Sequence, residues 1–437
     1  MISAIVFLTV IALASYVSLS KYKQILKAIQ LGQREATNGL KSERWKNMLL
    51  FALGQRKMFT RPISGFFHLF IYLAFIFTQI ETLEIIIDGL TGHHRFFANK
   101  IGLFYPLLIN SIEVLSVLAL IATIVFLWRR NVIKLKRFQM PEIKGWPFKD
   151  ANIILLGEII LIISIFMMNG AYQYLQTQNP NVYPDGGRYF LSAQWTLPLF
   201  EGALNNYAVI CERLFWWLHF LVILGFVVYL PYSKHLHIFL AFPNSYFADP
   251  LNRGAMQNIP EIQNEVRNML GMETQPNIES KGFFGASDVH QLSWKNILQA
   301  FSCTECGRCT SVCPANLTGK KLSPRKIVMD IRDRSEELIR NEGYVRVADD
   351  QIEITDGRSL FDFISKEEIY ACTSCNACVE ACPVLINPLQ PILELRRYDI
   401  LMNSGGPQEW LPVFNSLETN QSVWAMSESR TQWTQNS

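Results

Sequence analysis

Charged residues are scarce in this chain. Asp, Glu, Lys and Arg make up 18% of its 437 residues, where a soluble domain carries about a quarter. The deficit lies mostly in the first 240 residues and excludes an ordinary soluble fold there. The net charge of +3 carries no sign of a nucleic-acid partner. No positive charge precedes the first apolar run, residues 1–20; Lys21 and Lys23 follow it instead. A signal peptide has the opposite order, so the run reads as a membrane helix, with cleavage after Ala14 as the alternative. Cysteine is also confined: outside two short motifs only Cys211 occurs, in an apolar stretch where a small buried hydrophobe is expected.

Four further apolar runs follow at roughly 63–87, 103–128, 152–175 and 207–230, the last extending towards 240. Each is long enough to cross ~30 Å of hydrocarbon at about 1.5 Å per residue. Buried helices of a large soluble protein are the other explanation, and five such runs argue against it. Lys and Arg set the orientation. Ten lie in 20–61 and seven in 129–149, against two in 88–102 and one in 176–206. Cytoplasmic loops carry the basic excess, so the expected topology is an inner-membrane protein with its N-terminus outside and everything after the fifth helix in the cytoplasm.

That last part holds the other eight cysteines. Cys303, Cys306, Cys309 and Cys313 precede Pro314, and Cys372, Cys375, Cys378 and Cys382 precede Pro383, so both runs read C-x2-C-x2-C-x3-C-P. Three thiolates at this spacing wrap one iron–sulfur cube, and in two-cluster ferredoxins the fourth ligates the other cluster. The expected sets are therefore Cys303, Cys306, Cys309 with Cys382, and Cys372, Cys375, Cys378 with Cys313, each holding a [4Fe-4S] cluster. Zinc also uses paired C-x-x-C units, but has no use for the third step and the Cys-Pro. Disulfides need an oxidising compartment, which the topology denies. Between the motifs lie 58 residues. There Ser323-Pro324 opens a stretch whose Ile327, Met329, Ile331 and Leu338 suit one helix face, so a helical two-cluster domain is expected.

The predicted fold class is all-α: a five-helix transmembrane bundle followed by an α-helical ferredoxin domain. The expected divisions are 1–61 (first helix and basic loop), 62–242 (bundle), 243–288 (linker, with Pro243, Pro250, Pro260 and Pro276), 289–400 (cluster domain) and 401–437 (polar tail with Trp410, Trp424 and Trp433).

Ionisable side chains at membrane depth are costly and usually functional. His68 lies on the second helix, and His219 and His237 are expected near the ends of the fifth, with His235 beside the last. Bis-histidine haem suits such a redox protein. Eighteen residues of helix put His219 and His237 about 27 Å apart, so they cannot share an iron. His68 is six residues beyond Pro62, at the depth of His237; that is the first pairing, and His68 with His219 is the second. His93 and His94 read as headgroup-level residues. Glu81, Glu84, Glu113, Glu158 and Glu212 are candidate proton-relay groups near a quinone, or hydrogen-bonded members of the bundle.

Residues 62–242, with His219 and the ending PYSKHLHIFLAFPN, resemble the membrane domain of respiratory nitrate reductase gamma subunits and of membrane-bound heterodisulfide reductase. Residues 289–397, with SCTECGRCTSVCPA and ACTSCNACVEACPV, resemble the helical ferredoxin domains of heterodisulfide reductase, anaerobic glycerol-3-phosphate dehydrogenase and glycolate oxidase. The resemblance implies haem b, one or two, and menaquinone as substrate. It also implies a soluble partner, either an electron-transfer flavoprotein or an iron–sulfur subunit of the paired-cysteine CCG type. Two departures stand out. Near Glu81 a second histidine is missing, which affects the outer haem, and the CCG repeats that build a catalytic cluster are absent. No residue reads as an acid–base or nucleophilic catalyst. The implied activity is electron transfer between a soluble donor and menaquinone. The alternatives are the conduit subunit of a lactate, glycolate or glycerol-3-phosphate dehydrogenase or heterodisulfide reductase-like complex, and a redox sensor.

Overall fold

A computed structural model describes residues 2–249, 256–274, 282–348, 351–423, 431 and 434. Five helices are long and apolar enough to cross a membrane: α1 (Ile2–Gln30), α2 (Pro62–Thr91), α3 (Phe104–Asn131), α4 (Trp146–Gln178) and α5 (Ala208–Tyr229). Even the 22 residues of α5 reach about 33 Å. The helices are apolar all round because both faces meet apolar surroundings. Ile63, Leu83, Leu107, Ile124, Leu156 and Leu214 point outwards, and the exposed Trp128 and Trp146 mark one interface. Pro62 starts α2 where its missing N–H costs nothing. Gly92, in the left-handed region at φ 77°, ends it by donating its N–H to the Asp88 carbonyl at 2.8 Å.

Inside the bundle α4 packs on α5 and α3, α2 on α3, and α1 on α2 and α5. Ile112, Ile165, Phe166 and Phe220 share a core with Phe7, whose ring stacks on Phe220 at a centroid distance of 4.4 Å. The first helix runs about three turns beyond the apolar stretch that predicts it. Its Ile25 and Ala28, with Leu31 just past its end, enter a second core with Val289, Ile297 and Ile327 of the C-terminal region. Lys21 pairs with Glu336 at 3.3 Å. The helix thus belongs to both halves.

The expected continuation of the fifth helix towards 240 is not what forms. Pro231 lacks the N–H that would continue the ladder, and two 3-10 turns, Leu230–Tyr232 and Lys234–Leu236, follow α5. Ser233 Oγ caps the second by accepting from the His235 N–H at 3.1 Å. A new helix, α6 (His237–Phe247), then begins. His219 therefore sits within α5 and His237 beyond its end, and spacing by continuous-helix geometry does not apply to the pair.

The C-terminal region is helical: α7 (Trp294–Phe301), α8 (Pro324–Arg340), α9 (Leu389–Leu401) and α10 (Leu411–Asn420). One small antiparallel pair, Val345–Ala348 with Gln351–Ile354, joins them. Ser323 caps α8 by accepting from the Lys326 N–H at 3.4 Å, and Ile327, Met329, Ile331 and Leu338 are buried. Fully buried Arg334 is held by Asp288 at 2.7 Å and Asp356 at 2.6 Å. The fold is all-α: a five-helix bundle fit to span a membrane, then a helical domain carrying both cysteine motifs. Within the segment expected as a linker, 250–255 and 275–281 lie outside the described residues, as do Trp424 and Trp433 of the tail.

Candidate redox centres

The two motifs have one backbone design. Glu305 and Gly307 in the first, and Ser374 and Asn376 in the second, all have positive φ, at 52°, 68°, 54° and 61°. These residues stand two and four places after the first cysteine of each motif. They reverse the chain twice and turn backbone N–H groups towards the thiols, as in an anion-binding nest. The N–H groups of Glu305 and Ser374 each donate to the first Sγ of their motif at 3.4 Å, and that of Ile386 donates to Cys382 Sγ at 3.3 Å. Gly307 has a second reason to be glycine, since an added Cβ would lie 2.4 Å from Arg325 Nη1.

Cys303, Cys306, Cys309 and Cys382 line one hollow with Gly307, Arg308, Arg325 and Pro383. Burial, with neighbouring Cys306 and Cys382, pushes the Cys303 thiol up to about 12, and burial with Cys306 raises Cys382 to about 11. Cys378 is pushed up to about 12 by burial and by Cys372, Cys313 and Cys375. Cys382 thus lies among the first three cysteines of the other motif, and Cys313 is a neighbour of Cys372 and Cys378. Among the described residues no three His, Cys, Asp or Glu side chains converge on a single-ion site. A zinc ion draws its sulfurs to about 3.8 Å of one another, whereas a cube binds each thiolate at a different iron, around a hollow. The donor chemistry and the shape fit iron–sulfur clusters.

Charged side chains that sequence reasoning did not single out tie the first motif, and at Glu380 the second, to the ends of the spanning helices. Glu305 accepts from Lys234 at 2.5 Å and from Arg332 at 2.7 Å. Burial works to raise this carboxyl, but the two cations outweigh it and hold it down to about 2. Arg308 donates to the carbonyls of Lys57 at 3.0 Å and Met58 at 3.3 Å, Lys57 Nζ to the Glu380 carbonyl at 2.9 Å, and Arg61 to Ser311 Oγ at 2.6 Å. Fully buried Arg325 pairs with Glu142 at 2.8 Å. These partners are far apart in sequence. The one local signal is the density of Lys and Arg in 20–61 and 129–149, which reads first as topology.

The histidines fall into two places. His68 donates Nδ1–H to Gln55 Oε1 at 3.0 Å, and His237 donates Nδ1–H to the Lys234 carbonyl at 2.8 Å. Both are thereby fixed in the tautomer that leaves Nε2 free to bind metal. Gln55 takes a left-handed conformation at φ 48° and is buried, a strained position that aims its amide. His235 lies with them, its ring 5.7 Å from that of His237. Burial, then His237 and His68, push it down to about 3, so it stays neutral, as a ligand must be. This donor set fits a bis-imidazole cofactor. His219 is elsewhere, its Nδ1 facing Ser164 Oγ at 2.9 Å and the Leu161 carbonyl at 3.1 Å across the α4–α5 contact.

The five membrane carboxylates are all engaged. Arg95, expected in an outer loop, is instead buried, pairing with Glu81 at 2.9 Å and Glu84 at 3.5 Å and bonding Asn169. Glu113 accepts from Asn169 at 3.1 Å and from Ser192, and Glu158 from Thr123 at 2.8 Å. Glu212 meets Arg213 at 3.1 Å and His94 at 3.8 Å. A shallow cleft at this end is lined by Glu84, Asp88, His94, Arg95, Glu212 and Trp216 among others. His93 is exposed but His94 is half-buried in this cleft, so the two differ where the sequence treats them alike. Cys211 is half-buried against the bundle core.

Residues 302–386 match a 4Fe-4S dicluster domain family, and residues 263–318 match a second family of that description. These matches mark 4Fe-4S dicluster sequence in the C-terminal part of the chain. Over 99% of its length it is 26% identical to the probable iron-sulfur-binding oxidoreductase FadF of Bacillus subtilis, covering 60% of that protein. Over 88% of its length it is 26% identical to the EtfAB:quinone oxidoreductase of Syntrophomonas wolfei, covering 53% of it. A probable membrane-anchored ferredoxin of Chromohalobacter salexigens is 30% identical over 30% of this chain and 21% of its own. The chain thus spans between about half and 60% of the length of the first two relatives. No solved structure matches it.

Proposed function

We propose that the protein is a membrane electron conduit between a soluble cytoplasmic donor, an electron-transfer flavoprotein or a CCG-type iron–sulfur subunit, and menaquinone. Cys303, Cys306, Cys309 and Cys382 would hold one [4Fe-4S] cluster, and Cys372, Cys375, Cys378 and Cys313 the other. His68 and His237 would hold one b-type haem near the cytoplasmic face, with His235 as the reserve ligand. When bound, these groups supply one-electron carriage. The domain divisions and the N-terminus-out topology are part of the same reading.

One observation carries it. The segments that bear the histidines are the segments bonded to the first cysteine motif: Lys234, three residues before His237, to Glu305 at 2.5 Å, and the Gln55–Arg61 strap below His68 to Arg308 and Ser311. Two donor sets in fixed series are what a conduit needs, since positioning is the chief contribution of the chain. Glu81, near the place of the second histidine in the families resembled, is taken up by Arg95, so His219, whose Nδ1 meets Ser164 and Leu161, has no histidine at that place to share an iron with. We therefore read one haem rather than two. Menaquinone would take the cleft at the Arg95 end, where His94 and Glu212 are placed to exchange protons. A relative whose name is EtfAB:quinone oxidoreductase supports the choice of both partners.

The test is anaerobic mixing of purified protein with a reduced water-soluble menaquinone analogue and, separately, with reduced electron-transfer flavoprotein. Bleaching of cluster absorbance and growth of a b-type band with either reductant is expected, the quinol response being lost in His68→Ala. Clusters that respond to dithionite but to neither physiological reductant would leave a redox sensor as the better reading.

A further inference from the structure

Of the eight motif cysteines, Cys375 alone is exposed; the others are buried or half-buried. The first motif is covered by the ends of the spanning helices through Lys234, Arg325, Arg61 and the Gln55–Arg61 strap. The second motif is tied to the strap as well, at the Glu380 carbonyl that Lys57 reaches, but it comes to the surface at Cys375.

At the Cys372 end of the same motif the fold presents an apolar face. Tyr370, two residues before Cys372, is fixed by Arg396, whose guanidinium lies 5.8 Å from its ring and donates to the Ile369 and Cys372 carbonyls. Its hydroxyl donates to Asp399 at 2.9 Å. Against this anchored ring Trp410 packs edge-on at 5.5 Å, and Phe414 follows Trp410 at 6.2 Å. From there α10 carries Leu411, Phe414 and Leu417, spaced three apart on one stripe and 57%, 54% and 42% exposed. The end of α9 adds exposed Ile400, Leu401 and Met402. The only charges between residues 400 and 423 are Glu409 and Glu418, both exposed and both negative. An apolar stripe with aromatic members, flanked in its own segment by two exposed carboxylates, with Lys366 beyond them on Asp399, has the make-up of a protein-docking surface.

We propose that the Trp410–Leu417 stripe is the docking site of a soluble redox protein whose cofactor edge lies in an apolar patch rimmed by lysine or arginine. Tyr370 and Arg396 link the stripe to Cys372, the first cysteine of the motif that surfaces at Cys375, so docking there brings the partner's cofactor towards that motif, and it complements Glu409 and Glu418. The inference rests on the conduit reading and names where its soluble partner binds. A second copy of the chain is a poor occupant, because two acidic flanks would face each other.

The test uses full-length protein in detergent with clusters in place and purified electron-transfer flavoprotein as the probe. Affinity is measured by surface plasmon resonance and integrity by the cluster spectrum. Phe414→Glu and Leu411→Glu, each exposed enough to leave folding intact, should weaken binding by at least about tenfold, the weight of one well-buried interface residue. Glu409→Lys with Glu418→Lys should weaken it most at low salt. Equal affinity for wild type and all these variants overturns the docking site while leaving the donor reading standing. A flavoprotein that does not bind even wild type overturns the occupant and the donor reading together. A wild-type dimer that Phe414→Glu splits into monomers overturns the proposal in favour of a second copy.

Discussion

Replacing Lys234 with methionine cuts the shortest tie between the histidine segment and the first cysteine loop. Its Nζ lies 2.5 Å from Glu305 Oε2, donates to the Pro147 carbonyl at 2.6 Å, and stands 3.7 Å from Asp150. Both members of the main pair are shielded, at 11% and 3% side-chain exposure. Removing one partner of a buried pair costs about 3–5 kcal/mol when the other is left alone. Here Glu305 keeps Arg332 and Asp150 keeps the Tyr229 hydroxyl, so the loss is nearer that of one hydrogen bond to a charged group, about 2 kcal/mol. Because the tie must open before the cysteine loop can, the loss appears as roughly thirtyfold faster decay of cluster absorbance at fixed temperature in detergent. In a double-mutant cycle Glu305→Gln alone should cost a similar amount and the double variant little more, a coupling of about 2 kcal/mol. Costs that add to within about 0.5 kcal/mol would refute a direct Lys234–Glu305 tie.

Arg95→Met leaves Glu81 and Glu84 buried without their cation. About 3 kcal/mol of bundle stability should be lost, read as faster unfolding in SDS and partly restored by adding Glu81→Gln. Gln55→Ala removes the acceptor on His68 Nδ1. Haem affinity should fall by about tenfold or more, as for other outer partners of metal ligands, measured by haem titration. Gly307→Ala meets both a φ of 68° and Arg325, so iron content should drop towards one cluster per chain. Asn376→Gly, at the matching place in the second motif, should leave iron content unchanged.

Much of this is legible in the sequence because it is local. Apolar runs of membrane length announce α1 to α5, and the repeated cysteine spacing announces the iron–sulfur region that the family matches cover. What escapes is what depends on distant partners or on breaks. The apolar run from 207 towards 240 hides the interruption at Pro231, and with it the return of His235 and His237 to one place. Arg95 counts as a loop charge until three elements fold over it, and His94 parts from His93 only when α5 supplies Arg213. Lys57 counts only towards topology, and Lys234, Arg308 and Arg325 draw no notice, because their partners, Glu380, Glu305, Met58 and Glu142, are recruited across the junction. Gln55 is an ordinary loop residue until its φ is known.

The most direct test of a conduit with one haem beside the first cluster is the dithionite-reduced minus oxidised spectrum of the solubilised protein, with haem and iron quantified per chain, for wild type, His68→Ala, His219→Ala and His237→Ala. One b-type haem per chain is expected, lost in the His68 and His237 variants and kept in His219→Ala, with cluster iron unchanged throughout. Loss of the band in His219→Ala would move the haem to the outer half of the bundle. A wild type with two full clusters and no haem band would contradict the conduit altogether and leave a ferredoxin anchored by its helices.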